Sequence, residues 1–197
     1  MKRRITGITI AVAAGLIVGG CYSSSSSAAT EPTQPPVVEQ KQAEAEPKVI
    51  LDEKFLKSLE KNEINGFPIA IGMKKEEVIS LYGKVTKEDF WNGGIYHDFE
   101  KLKGGSVLFD GKDRVYGIEL AAQHLSEMNL GSIIKKVGKP SEQGWSDLRE
   151  EYVIYYEAAD NLVYIYAADE KLPAGKVRNA DRIQIINKKM YDEAPPE

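Results

Sequence analysis

Residues 152–167 read Tyr-Val-Ile-Tyr-Tyr-Glu-Ala-Ala-Asp-Asn-Leu-Val-Tyr-Ile-Tyr-Ala. Apolar and aromatic side chains crowd both flanks of Ala159-Asp160-Asn161. Such runs around a turn-forming cluster predict two antiparallel strands, 152–156 and 162–167. Successive side chains on a strand point to opposite faces. Tyr152, Ile154 and Tyr156 therefore share one side of the first strand, and Leu162, Tyr164 and Tyr166 share one side of the second. With Val153, Tyr155, Val163 and Ile165 turned toward a core, Tyr152, Tyr156, Tyr164 and Tyr166 line an open face. Tyrosine joins a large apolar area to a hydrogen-bonding tip, which enriches it at binding interfaces. These four are the candidate binding surface, with Trp91 and Trp145 as rims from the loops that precede each half's first strand. The same residues also suit a covered sheet, as ordinary strand formers.

Working outward, strands are expected at 95–99, 106–110, 115–120 and 182–186, with Asp110-Gly111-Lys112-Asp113 as a hairpin turn and 171–180 as a long loop. A weak internal repeat aligns Met73 through Val85 with Met128 through Pro140, a shift of 55 residues. In each copy Val78, Ile79 and Tyr82, or Ile133, Ile134 and Val137, form an apolar stripe at helical spacing. Gly83 and Gly138 follow where a helix C-terminus favours a residue without a Cβ, and Asn129 is a better N-cap than Lys74. A further amphipathic helix is expected over 51–63. Helices followed by antiparallel strands, twice over, predict an α+β fold of tandem helix-plus-sheet repeats with the helices on one face of the sheet.

Residues 55–72, Phe-Leu-Lys-Ser-Leu-Glu-Lys-Asn-Glu-Ile-Asn-Gly-Phe-Pro-Ile-Ala-Ile-Gly, resemble the opening of the YjgB-type domain of secreted and lipid-anchored proteins from Gram-positive bacteria. Gly83-Lys84, Tyr96-x-Asp98-Phe99, Val107-Leu-Phe109, Gly138-Lys139-Pro140, Tyr152-Val-Ile-Tyr155 and Arg182-Ile-Gln-Ile-Ile continue that pattern through about residue 187. Lys74 and Val85 depart from it. The resemblance implies no assigned activity. The two-copy layout is similar to the β-lactamase-inhibitor-protein type of fold, which binding modules use.

The chain opens with Lys2, Arg3 and Arg4, an uncharged stretch over 5–18, and Val18-Gly19-Gly20-Cys21. A basic, then apolar, then small-residue order predicts an export signal. Cys21, the only cysteine, stands where a lipoprotein takes its diacylglyceryl group. The apolar stretch is shorter than the roughly 20 residues that span a bilayer. The expected organisation is a signal at 1–20, the lipidated Cys21 and a Ser/Pro/Glu-rich tether at 21–48, a two-repeat domain at 49–190 and a disordered tail at 191–197. As a flexible coil the tether reaches on the order of 30 Å. The expected address is the outer face of the cell membrane. Removing the signal leaves 23 basic against 30 acidic residues, a balance near −7 that excludes a nucleic-acid partner.

Chemistry has few candidates. Only His97 and His124 could serve as bases, there is no Gly-x-Ser-x-Gly elbow, and the Cys21 sulfur is committed to lipid. His97 and Asp98 are strand neighbours facing opposite ways, Asp110-x-x-Asp113 is a turn rather than a calcium loop, and Trp91-Asn92-Gly93-Gly94 is a loop rather than a phosphate cradle. No catalytic residue, metal or cofactor is expected. The sequence points to a non-catalytic module binding a protein, peptide or cell-wall glycan. An envelope assembly factor and an extracytoplasmic hydrolase are the alternatives.

Overall fold

The computed structural model describes residues 46–91, 94–146, 150–167 and 178–193. The expected export signal, Cys21, the expected tether as far as residue 45, residues 92–93, 147–149 and 168–177 and the last four residues lie outside the described residues, as does the Trp91 side chain. Eight strands form one sheet: β1 (Val85–Trp91), β2 (Gly94–Phe99), β3 (Gly105–Phe109), β4 (Val115–Ala121), β5 (Glu142–Ser146), β6 (Glu151–Ala158), β7 (Asn161–Ala167) and β8 (Arg182–Asn187). Their order is β1-β2-β3-β4-β8-β7-β6-β5, and every neighbouring pair is antiparallel.

This corrects the expectation of tandem helix-plus-sheet repeats. β4 and β8 pair over five consecutive positions, from Gly117 opposite Ile186 to Ala121 opposite Arg182, so there is a single continuous sheet. Left apart, those two strands would each present a row of unpaired backbone groups, and Ile118, Leu120, Ile183 and Ile185 would lack neighbours; pairing removes both costs. The helices are short: α1 (Phe55–Leu59), α2 (Lys75–Tyr82), α3 (Leu130–Val137) and α4 (Lys188–Asp192) span 5, 8, 8 and 5 residues. The helix expected over 51–63 shrinks to α1. Asn129 does cap α3, its side chain accepting from the Ser132 N–H at 2.9 Å. Gly83 and Gly138 end α2 and α3 with φ of 80° and 114°, a backbone region that costs a side-chain-bearing residue dearly.

Phe55, Leu59, Val78, Tyr82, Leu130 and Ile133 from α1, α2 and α3 pack with Ile118, Ile154, Val163, Ile165, Ile183 and Ile185 as the main core. The opposite sheet face is not bare. Met190 of α4 lies against Tyr96, Leu108 and Tyr116, and the Tyr191 ring sits 6.1 Å from that of Tyr116. Helices thus occupy both faces, and α4 extends beyond the expected domain end at 190.

The hairpin between β6 and β7 has a two-residue turn, Ala159-Asp160, because Ala158 pairs with Asn161. Asn161 belongs to β7, where the sequence reading had put it in the turn. A one-residue change of register sends every side chain to the other face. Asn161 is held in the strand by burial: only 1% exposed, its Nδ2 donates to the Leu59 carbonyl at 2.6 Å and to Asn62 Oδ1 at 3.0 Å. Its Oδ1 accepts from Asn187 Nδ2 at 2.9 Å. Replacing Asn161 by Ala strands the Asn187 amide in the interior and leaves the Leu59 carbonyl with the Asn62 N–H alone, which costs about 1–3 kcal/mol. Urea denaturation of Asn161→Ala should show that loss, whereas the exposed Lys57→Ala should unfold with the wild-type midpoint.

Candidate functional site

Cross-strand partners share a face, so the observed register fixes which side chains meet. Tyr155 pairs with Tyr164, Val153 with Tyr166, and Tyr164 and Tyr166 in turn with Gln184 and Arg182 of β8. These, with Glu151, Leu162 and Ile186, form the face away from α1, α2 and α3. The candidate surface of Tyr152, Tyr156, Tyr164 and Tyr166 is therefore split. Tyr164 and Tyr166 stand on the open face, Tyr164 half-buried and Tyr166 only 3% exposed, but Tyr156 is 1% exposed in the main core and its hydroxyl donates to the Gly138 carbonyl at 3.1 Å. Tyr152 packs against that core too, with the Arg178 guanidinium 4.6 Å from its ring centre. The two-residue turn is the cause. Tyr155, assigned to the core by sequence, takes their place on the open face. Period-two alternation gave the two faces of each strand, but only the turn length relates one strand's faces to the other's.

The three tyrosines make a row. Ring centres of Tyr155 and Tyr164 are 5.0 Å apart, and those of Tyr164 and Tyr166 are 6.2 Å apart and nearly parallel at 19°. They border a hollow of about 740 Å³ whose other walls are Val153, Gln184, Ile186 and β5 from Glu142 to Ser146. That volume lies within the range of small-ligand sites, roughly 300–1,000 Å³. Trp145 is a strand residue, 44% exposed, not a loop residue. Its register partner is Tyr152, yet on this edge strand it still borders the hollow. Gly144 stands opposite Val153, and a Cβ built there would meet nothing within 4 Å.

One end of the row is fixed by charge. Arg182 lies 4.1 Å from the Tyr166 ring centre, and its Nη1 and Nη2 donate to the two oxygens of Glu151 at 2.6 and 2.5 Å. Burial alone would lower the Arg182 guanidinium, but the hydrogen bonds and charge of Glu151 outweigh it and hold it above its ordinary value. Below the rings, buried Gln184 accepts from the Tyr166 hydroxyl at 3.1 Å and donates to the Tyr96 hydroxyl at 2.7 Å. At the other end Tyr155 donates to Glu157 Oε1 at 2.6 Å. Burial raises the Tyr155 phenol, and Glu157, Tyr164 and Glu142 raise it further, so this end of the hollow is electronegative.

Neither histidine borders the hollow. His97 lies edge-on to Phe109 and 3.3 Å from Glu88, and burial pulls it below its ordinary value. His124 Nε2 is 2.7 Å from the Lys103 carbonyl. Asp98 faces the other way from His97, toward Ser106. Asp110 forms a turn, accepting from the Lys112 and Arg114 N–H groups at 2.9 Å each. Among the described residues no group of three metal-ligating side chains converges, and no helix is long and apolar enough to cross a membrane.

Comparison with known proteins returned no matching family profile and no matching curated protein. Similar solved structures include these two. One is a DUF4309 family protein (YjgB) from Bacillus subtilis, with 12% identity, a TM-score of 0.47, and coverage of 70% of this chain and 99% of that one. The other is a cysteine-rich secretory protein (SAV1118) from Staphylococcus aureus, with 10% identity, a TM-score of 0.40, and coverage of 61% and 44%.

Burial pushes the Tyr156 and Tyr82 hydroxyls up to about 12. In the unfolded chain a phenol ionises near 10, so between pH 10 and 12 unfolding releases protons that the fold retains. The stability these groups contribute is complete below pH 10 and is lost as pH rises toward 12. The urea midpoint should fall across that window in wild type, and Tyr156→Phe should fall less steeply.

Proposed function

We propose that this chain is a lipid-anchored, extracytoplasmic binding module without catalytic chemistry of its own, and that its ligand lies in the hollow over β5 to β8. The observation that carries the reading is the row Tyr155, Tyr164 and Tyr166 beside about 740 Å³ of space, on the half of the open face away from α4. Polarity supports it as well. The walls are mainly aromatic and aliphatic, with a few polar groups such as Gln184 and Glu142 to orient what enters.

The anchor rests on Lys2-Arg3-Arg4, the uncharged stretch after it and Val18-Gly19-Gly20-Cys21. Two acyl chains on Cys21 would hold the protein stably at the membrane. The Ser/Pro/Glu-rich stretch that follows would then set the module off from the lipid by on the order of 30 Å. Kinship with YjgB-type domains, suggested by motif order, belongs to the same proposal and brings no activity with it.

Two measurements test this. Cys21→Ala should abolish incorporation of labelled palmitate and move the protein out of the membrane fraction; continued labelling would refute the anchor. For the hollow, the thermal midpoint of the full chain is followed in soluble cell-wall digests and in mixed peptide pools. Wild type should shift by several degrees in one of them, and Gly144→Phe, which fills the hollow from a position with free space around it, should not. No shift in any pool, or a shift that survives Gly144→Phe, would end the binding reading.

A further inference from the structure

The two ends of the sheet are not protected alike. An edge strand offers unpaired N–H and C=O groups to any extended chain, and proteins guard such edges with charges, bulges or proline. β1 has these guards. Its register slips between Val85 and Lys87, and Lys87, Glu88 and Asp89 follow in a row, with Lys87 and Asp89 ion-paired at 2.7 Å. β5 has almost none of them. Glu142-Gln-Gly-Trp-Ser146 holds register with β6 over five consecutive positions, and its one charge stands at its first residue. Among the described residues β5 pairs only with β6.

β5 is also one wall of the hollow. Neighbouring strands lie about 4.8 Å apart, so a side chain arriving from beyond β5 must cross it to reach the rings of β6. Gly144 leaves that crossing open. Straight across from Gly144 stand Val153 and Tyr166; diagonally from it, in the row of Glu142, stands Tyr155, whose hydroxyl donates to Glu157. Neither carboxylate has an ion pair among the described residues. The same face shows what such a set holds: Arg182 lies over the Tyr166 ring and is gripped by Glu151. A cation on a tyrosine face beside a carboxylate is favourable for electrostatic reasons alone.

We infer that an extended peptide adds to the free side of β5 and lays a lysine or arginine side chain over Gly144 onto Tyr155, between Glu142 and Glu157. Main-chain hydrogen bonds supply affinity without regard to sequence, and the side chain over Gly144 supplies selectivity. This rests on the binding reading of the hollow and narrows it to one ligand class and one mode of entry.

The test uses the full chain as bait for a random heptapeptide library displayed on phage, with Gly144→Phe as the counter-screen. Peptides retained by wild type and lost by Gly144→Phe should be enriched in lysine or arginine, and their binding should weaken as salt rises. Replacing both Glu142 and Glu157 by Gln should reduce affinity about tenfold for such a peptide, and hydrogen exchange should slow at the β5 amides on binding. Retained peptides without basic enrichment, or without protection of β5, overturn the inference while leaving the hollow as a binding site. So does binding only of soluble cell-wall glycan that Gly144→Phe abolishes. If neither peptide nor glycan binding responds to Gly144→Phe, the binding reading itself falls.

Discussion

The Asn161 side chain ties together parts of the chain that are far apart in sequence. Its amide reaches the last residue of α1 on one side and Asn187 on the other. Asn187 in turn caps α4 through the Met190 N–H at 3.0 Å, and the Lys188 N–H meets the Asp160 carbonyl at 2.8 Å. A buried amide without these partners would be costly, so Asn161 occupies the strand and the turn is left with Ala159 and Asp160. The turn has its own cost, since Ala159 takes a φ of 53°, where glycine or asparagine is more at ease. The interior hydrogen bonds outweigh that local preference. Tyr155 faces out and Tyr156 faces in because of this one choice.

The pairing of β4 with β8 has the next widest consequence. It places the polar side chains Ser106, Glu119 and Gln184 and the ring of Tyr164 in one cross-strand row on the open face. Gln184 is the hinge of that row. It is 1% exposed and links Tyr166 of β7 to Tyr96 of β2. Either half alone would leave that amide without one of its partners. The half bearing β2, β3 and β4 is covered by Met190 and Tyr191, and the tyrosine row lies in the other half.

Six of the eight strands were legible, because β2, β3, β4, β6, β7 and β8 have enough apolar or aromatic residues to show their period. β1 and β5 were not. Val-Thr-Lys-Glu-Asp-Phe-Trp and Glu-Gln-Gly-Trp-Ser are edge strands, and solvent on their free side leaves no alternating burial to select for an alternating sequence. The cap residues Asn129, Gly83 and Gly138 were readable because each answers a local backbone need. The single sheet was not, since nothing local to 115–121 or 182–187 says that these segments are partners. For the candidate surface, the sequence reading placed Tyr164 and Tyr166 on the face where they lie but turned β6 the wrong way round, so Tyr152 and Tyr156 are replaced there by Tyr155. Face depends on turn length, and turn length here depends on the Leu59 carbonyl about a hundred residues earlier.

Tyrosines on a sheet face need no function, because they are good strand formers and shield backbone from water. What separates this row from mere cover is the uneven way in which it is held. Tyr166 is locked by Arg182 and Gln184, and the salt bridge to Glu151 fixes Arg182 in turn. Among the described residues Tyr155 has Glu157 as its one side-chain hydrogen-bond partner, near the open space over Gly144. A row that served only to cover the sheet would gain nothing from an empty position beside it on the edge strand, since a side chain at 144 would bury more apolar surface. On the binding proposal, the rigid end would spare an incoming ligand the cost of ordering the platform. The open end leaves the Tyr155 ring and the Glu142 and Glu157 carboxylates without a cation among the described residues, which is the condition under which an added cation gains free energy.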